Sequence, residues 1–308
     1  MMRSVQEIKL IYETGEELLP GFLQDFPYIA SRAELEKYIE PAVPWHWHRT
    51  VELFYMESGT LEYTTPNGKW VFPAGSGGFV NSNVLHSSKV VPSGNATIQL
   101  LHLFEPELLS GRQMEQIEGK YIRPLTTESG VEMIPLFSDD VKQNKILQKI
   151  RSAFDLNEDS WGYEFELRQQ LTEIWLALLD IVRPSMASAS PNNYANEKLK
   201  TMMRYIHTNF AETISVDQLA KEANISKRVC FRLFRENLHI SPLEYMTEYR
   251  LRKAYQQLVE KDASITQIAY TCGLGSSSYF GKLFKAHFNC TPAQFRKEWH
   301  DRNSNTHK

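Results

Sequence analysis

The chain has 308 residues, more than one ordinary domain needs, and its 42% hydrophobic and 12% aromatic content suffices for packed cores. Its formal charge of −3 hides two halves of opposite sign: residues 197–308 carry 18 Lys and Arg against 11 Asp and Glu, a balance of +7, while the first 196 carry 16 against 26, a balance of −10. A basic half attracts a phosphate polymer and an acidic half is repelled by it, which excludes one uniform nucleic-acid-coating role for the whole chain. With mixed charge after Arg3 and no apolar run of about eighteen residues, neither a signal peptide nor a spanning helix is expected, and the protein reads as soluble and cytoplasmic.

From Pro44 to Phe104 short β-type runs alternate with turn residues: 51–56, 61–65 before Asn67-Gly68, 70–72, 79–81 and 96–104. Short strands punctuated by Gly and Pro predict a small barrel or double-sheet jelly roll, placed in residues 1–135. Within it stand His46, His48 and Glu52. Their even numbering puts all three on one face of an unbulged strand, with Trp45 and Trp47 on the other, and His86 on a facing strand is the candidate fourth ligand. Imidazoles converging with a carboxylate suit a divalent transition metal that keeps coordination positions open. The pattern His46-x-His48-x-x-x-Glu52-x6-Gly59, then Pro73-x-Gly75 and His86, resembles the two motifs of the cupin fold. Gly77-Gly78 and the asparagines Asn81 and Asn83 fall outside the usual metal-cupin register before His86. Three readings of the cluster stay open: a metal site, a metal-free polar patch that binds a small effector such as a sugar or other metabolite, and a set of satisfied structural histidines.

Residues 105–127 are mixed in character and read as helix and loop. From 136 to 184 the pattern is helical: 141–154 carries Ile146, Leu147 and Ile150, and 164–182 carries Leu167, Leu171, Ile174, Trp175, Leu178, Leu179 and Val182 on one wide apolar face. That face either packs on the barrel or forms a homodimer seam. Arg183-Pro184 is expected to end the helix, and 185–196, low in hydrophobicity, to be a linker.

The remainder, 197–302, opens with an amphipathic helix over 197–210 and then writes one pattern twice. Ser215-Val216-Asp217-Gln218-Leu219-Ala220 returns as Ser264-Ile265-Thr266-Gln267-Ile268-Ala269, and Ser241-Pro242 as Thr291-Pro292. Ser215 with Gln218, and Ser264 with Gln267, have capping-box spacing; Asn224 and Gly273 are residue types that tolerate the left-handed corner of a helix-turn-helix. The next helices start at Ser226 and near Ser276. In the first copy Cys230, Leu233 and Phe234 form the inward stripe, leaving Lys227, Arg228, Phe231, Arg232 and Arg235 outward. In the second, Phe280, Leu283, Phe284 and Phe288 turn inward, and Ser277, Ser278, Gly281, Lys282 and Lys285 turn outward. A helix that reads the major groove needs cations for phosphate, Arg and Ser for base edges, and little bulk where the backbone comes close. One such match is weak, since a basic helix face is commonly just solvated surface, but two copies with matching caps and corners are specific. Cys230, Cys272 and Cys290 lack CxxC spacing and are odd in number, which points to buried thiols.

These two units, joined by a long helix from Pro242 to about Val259, closely resemble the double helix-turn-helix domain of AraC/XylS-type bacterial transcription regulators, over roughly 198–299. His239 and Asn289 stand where that family usually has glycine. The resemblance implies double-stranded DNA as partner, with base contacts from Arg228, Phe231 and Arg232 in the first unit and from Ser277, Ser278, Gly281 and Lys282 in the second. It also implies a cupin-like sensory domain that binds a small-molecule effector, a homodimer, and RNA polymerase as a further partner. The expected fold class is therefore multidomain β + α: an N-terminal cupin-like β-barrel, a helical dimerisation segment and a C-terminal all-α double helix-turn-helix domain. The expected function is a ligand-responsive, sequence-specific transcription regulator without catalytic residues. The alternatives are a metal-dependent cupin enzyme with an appended DNA-binding domain, and a DNA-bending protein, which leaves the histidine motif unexplained.

Overall fold

β-branched and aromatic residues at alternate positions make strands through the first half of the chain, and the 3.6-residue periodicity takes over after Leu136. The computed structural model describes residues 3–5, 9–10, 16–19, 26–38, 41–111, 115–128, 130–186, 193–260 and 263–304. They divide into two compact units at the junction of Asn196 and Glu197. No helix among the described residues is long and apolar enough to cross a membrane.

The first unit contains β1 (Arg3–Val5), β2 (Lys9–Leu10), β3 (Glu17–Leu18), β4 (Tyr28–Glu34), β5 (Ala42–His46), β6 (Val51–Ser58), β7 (Thr60–Thr65), β8 (Gly68–Pro73), β9 (Gly77–Val80), β10 (His86–Val90), β11 (Ile98–Phe104) and β12 (Met133–Leu136). A six-stranded sheet runs β1-β4-β11-β6-β9-β12 and a four-stranded sheet runs β5-β10-β7-β8. The strands thus form the double-sheet version of the cupin-like architecture; no hydrogen-bonded closure into a barrel joins the two sheets among the described residues. Phe54, Met56 and Val80 of the large sheet meet Val43, Leu61, Tyr63 and Phe72 of the small one in a common core. Gly77 is required here: a Cβ on it would collide with the carbonyl oxygen of Phe54, so only glycine lets β9 lie this close to β6.

The large sheet is buried on its other face as well. Val51, Leu53 and Tyr55, alternating with the inward Phe54 and Met56, pack with Phe79, Leu100 and Phe104 against α3 (Val141–Ser152) and α4 (Tyr163–Met186); the short α1 (Glu107–Ser110) and α2 (Glu115–Ile117) precede them. Leu167, Leu171, Ile174, Trp175, Leu178 and Val182 all lie in this core, which corrects the reading of that stripe as a dimer seam: the sheet's own apolar face covers it. His102 fastens β11 to α3, its Nε2 2.9 Å from the Ile150 carbonyl and its Nδ1 2.6 Å from the Tyr28 hydroxyl. A second correction concerns Pro184, which does not end α4. It occupies the last turn, where a missing N–H removes one terminal hydrogen bond and interrupts no longer ladder, and the helix continues to Met186. Of the expected linker, 187–192 lie outside the described residues, and the following helix starts at Asn193, earlier than its periodicity suggested.

The second unit is helical: α5 (Asn193–Asn209), α6 (Val216–Glu222), α7 (Lys227–Leu238), α8 (Pro242–Glu260), α9 (Ile265–Thr271), α10 (Ser277–Phe288) and α11 (Pro292–Ser304). Both capping boxes form, at Ser215 with Gln218 and at Ser264 with Gln267. Asn224 and Gly273 take left-handed φ of 52° and 64° at the first corner of each unit, and His239 and Asn289 do the same at 58° and 60° at the second, where each unit turns without the glycine that usually serves. The long α8 holds the parts together. Arg250 donates to the carbonyls of Phe210 (2.7 Å) and Glu212 (2.6 Å), and Tyr245 shares a 2.8 Å hydrogen bond with His207, whose ring also stacks on Tyr249 at 4.1 Å.

Candidate functional site

Two places carry chemistry. In the first unit His46 is the last residue of β5 and His86 the first of β10; the two are register partners in the small sheet, with ring centroids 4.1 Å apart. His86 is therefore on the adjacent strand, where a facing one was expected. His48 follows the end of β5, and Glu52 enters from β6 of the other sheet. The chain turns at 47–50, so the expected single strand bearing His46, His48 and Glu52 does not exist. The side chains converge nevertheless, because that turn crosses from one sheet to the other. All four are buried.

Each imidazole is held by its Nδ1 atom. His46 Nδ1 lies 2.8 Å from the Pro44 carbonyl, His48 Nδ1 2.9 Å from both the carbonyl and the hydroxyl of Thr50, and His86 Nδ1 2.9 Å from the Val84 carbonyl. A carbonyl only accepts, so each Nδ1 carries the proton and each Nε2 presents its lone pair when the ring is neutral. The ligand atoms of the three rings lie within 4.8 Å of one another, and the buried Nε2 atoms of His48 and His86 have no hydrogen-bond partner. Glu52 Oε2 stands 3.5 Å from His48 Nε2 and 3.7 Å from His86 Nε2, too long for full hydrogen bonds. Its other oxygen accepts a 2.6 Å bond from the Tyr63 hydroxyl, which in turn accepts from Gln99 at 2.6 Å. Glu17, from β3, faces His46 with Oε2 3.8 Å from Nε2.

The electrostatics follow from burial. Burial, with His86 and His48 nearby, pushes the His46 imidazolium far down. Burial works the same way on His48, but the carboxylates of Glu52 and Glu17 outweigh it and raise that group. Burial alone would raise Glu52; the two histidines beside it hold it well below the usual carboxylate range. Glu17, driven by burial against weaker help from His48, rises to about 7. Such a set fits a divalent transition metal: three nitrogen donors close to one another, oriented by backbone carbonyls, two of them without a hydrogen-bond partner, stand beside an ionised carboxylate oriented by a tyrosine. Glu17, Thr50, Tyr63 and Gln99 carry no spacing signal in the sequence that would have found them.

In the second unit the outward face of α7 is as the periodicity predicted. Lys227, Arg228, Arg232 and Arg235 are exposed and Phe231 half-buried, above buried Cys230, Leu233 and Phe234. On α10 Ser278, Lys282 and Lys285 are exposed, with Ser277 and Gly281 half-buried at the edge of the same face. Ser226 and Ser276 cap the two helices by accepting from Val229 and Tyr279. Lys227 pairs with Asp217 at 2.8 Å and Arg232 loosely with Glu236 at 3.8 Å; both are exposed, weak pairs that phosphate can displace.

A family model described as an AraC-like ligand binding domain matches residues 28–175, and one described as a helix-turn-helix domain matches residues 219–298. The HTH-type transcriptional regulator YdeC of Bacillus subtilis is 23% identical over 94% of this chain and 98% of its own length. The HTH-type transcriptional activator RhaS of Salmonella schwarzengrund is 31% identical over 49% of this chain, and the match spans about half of that relative, 55%. Among solved structures, a transcriptional regulator with an AraC-type DNA-binding domain from Chromobacterium violaceum is 33% identical over 35% of this chain and 96% of its own, with a TM-score of 0.34. With a ligand-binding model on the sandwich and a DNA-binding model on the repeated helical units, this chain belongs to the AraC-type transcription regulators.

Proposed function

We infer that this regulator senses its effector at a divalent metal ion held by His46, His48, His86 and Glu52, and reads DNA with α7 and α10. The observation that carries the metal is the pair of buried Nε2 atoms without hydrogen-bond partners, on rings whose other nitrogen is pinned to backbone carbonyls. A buried polar atom left unsatisfied costs about 1–3 kcal/mol, a cost that a set of purely structural histidines leaves standing at two atoms and a bound ion removes. When bound, the ion supplies Lewis-acid attraction for an oxygen-donor effector, such as a carboxylate or a vicinal hydroxyl. The protein's own residues do the rest: Tyr63 and Gln99 hold one Glu52 oxygen so that the other faces the imidazoles, and the two sheets exclude water from the cluster.

The two helices enter successive major-groove segments about one helical turn apart, roughly 34 Å, with Arg228, Phe231, Arg232, Ser277, Ser278, Gly281 and Lys282 at base edges and Lys227, Arg235 and Lys285 on phosphate. A homodimer is supported by Phe165 and Leu176, exposed at 79% and 45% and eleven residues apart on α4, which places them on one face, away from the stripe that the sheet covers. Metal analysis of the purified full-length protein, with a fluorescence-anisotropy DNA titration before and after chelation, tests the reading. Near-stoichiometric metal, lost in His48→Ala and altering DNA affinity on removal, is the expected result. A protein that neither retains nor takes up metal, and binds DNA identically throughout, returns the pocket to a metal-free effector site.

A further inference from the structure

The four-ligand set leaves Glu17 unexplained. β3 lies across the turn that carries His48: the Glu17 N–H donates to the Trp47 carbonyl at 2.9 Å, Glu16 bridges Trp47 in parallel, and the Glu16 carboxylate reaches Arg49 at 3.3 Å. The strand is thus fastened through its backbone and its neighbour, independently of the Glu17 side chain. That side chain points inward, 12% exposed, and ends against His46.

Two donors bound to one ion at ~2.1 Å and a tetrahedral angle are about 3.4 Å apart. The Glu52 oxygen stands 3.5 and 3.7 Å from two imidazoles, and the Glu17 oxygen stands 3.8 Å from one, His46, so each carboxylate lies close to donor spacing from a member of the histidine trio. They do so at different rings. Glu52 faces His48 and His86, while Glu17 faces His46, the third member of the trio.

Resting on the metal reading above, we propose that Glu17 is a fifth ligand, supplied by the N-terminal strand β3, and that the site is a three-histidine, two-carboxylate centre. A second oxygen donor beside Glu52 favours a five-coordinate ion and shifts preference away from the tetrahedral sites that zinc occupies. The two carboxylates also balance the charge of a divalent cation, which the three neutral imidazoles with Glu52 alone do not. Metal uptake then ties β3 to the sandwich through a bond to the ion in addition to its backbone hydrogen bond.

The test uses the full chain loaded with Co²⁺, whose visible absorption reports coordination number, in wild type, Glu17→Gln and Glu17→Asp, with His48→Ala as the control for the site itself. Thermal melting of the metal-free proteins establishes that each variant folds. The expected result is weak five-coordinate absorption in wild type, a several-fold more intense tetrahedral spectrum in Glu17→Gln with affinity lowered about tenfold or more, and an intermediate affinity in Glu17→Asp. Identical spectra and affinities in wild type and Glu17→Gln overturn the fifth ligand and leave the four-ligand site standing. No Co²⁺ uptake in wild type, matching His48→Ala, overturns the metal reading and the fifth ligand together.

Discussion

At the scale of single residues, the outward side chains of α7 and α10 divide by what they can reach. Arg232 and Lys282 occupy matching positions in the two repeats, both exposed, one turn beyond Arg228 and Ser278 respectively. Arg232→Ala and Lys282→Ala each weaken binding to a specific site by about 1–3 kcal/mol where the contact is bidentate to a base, and by less where it is to phosphate. Anisotropy titrations on specific and random duplexes separate the cases, since equal losses on both assign the residue to the backbone. Buried histidines give a second residue-scale prediction. Burial, reinforced by Lys253 and Arg252, lowers His207 to about 3, and burial lowers His102 to about 4. The unfolded chain therefore takes up these protons first, at its ordinary value near 6.5. Stability is complete above that pH and falls as pH drops below it, by about 2 kcal/mol per histidine at pH 5. Urea unfolding of wild type and His207→Gln at pH 7.5 and 5 checks this; the variant's stability changes less over the interval.

At the scale of elements, α4 shows how periodicity reports burial without naming the partner. The stripe from Leu167 to Val182 was legible to the residue, yet the surface that covers it is the chain's own six-stranded sheet. Leu171→Ala should cost 2–5 kcal/mol of stability, as a large-to-small change in a packed core does, and leave the oligomeric state unchanged. Phe165→Glu, on the exposed face, should leave unfolding unaffected and convert a dimer to monomer in light scattering; a dimer that persists removes the α4 interface. The helix-turn-helix units were readable in detail because their signals are local: each cap, corner and stripe lies within about a dozen residues, and short-range rules decide them. The sandwich was readable only in kind. β5 carries Pro44 and is apolar at every position from Ala42 to Trp45, so its alternating burial leaves no polar–apolar pattern in the sequence, and the turn after His46 contains Arg49 and Thr50 where glycine or asparagine would have announced a bend. Identity of the histidine cluster survived that error, since the residues meet across the two sheets, but Glu17 joins it from 29 positions upstream of His46 and no spacing rule connects them.

At the scale of the whole molecule, the opposite charges of the two halves agree with their tasks. The acidic half encloses histidines and carboxylates that suit a cation, and the basic half exposes two cationic or small-residue helices that suit a phosphate polymer. An AraC-type regulator needs both, and its behaviour as a regulator requires that the two be thermodynamically linked: occupancy of the sandwich must change DNA affinity, and DNA must change the affinity for the ligand by the same factor. The measurement that tests the account most directly is selection of bound sequences from a random duplex pool by the full chain, with metal loaded and after chelation. The expected result is one enriched motif made of two segments spaced about 10 base pairs, lost on Arg232→Ala in one segment only and bound to a different extent in the two metal states. Retention of unenriched DNA to the same extent in both states would contradict it.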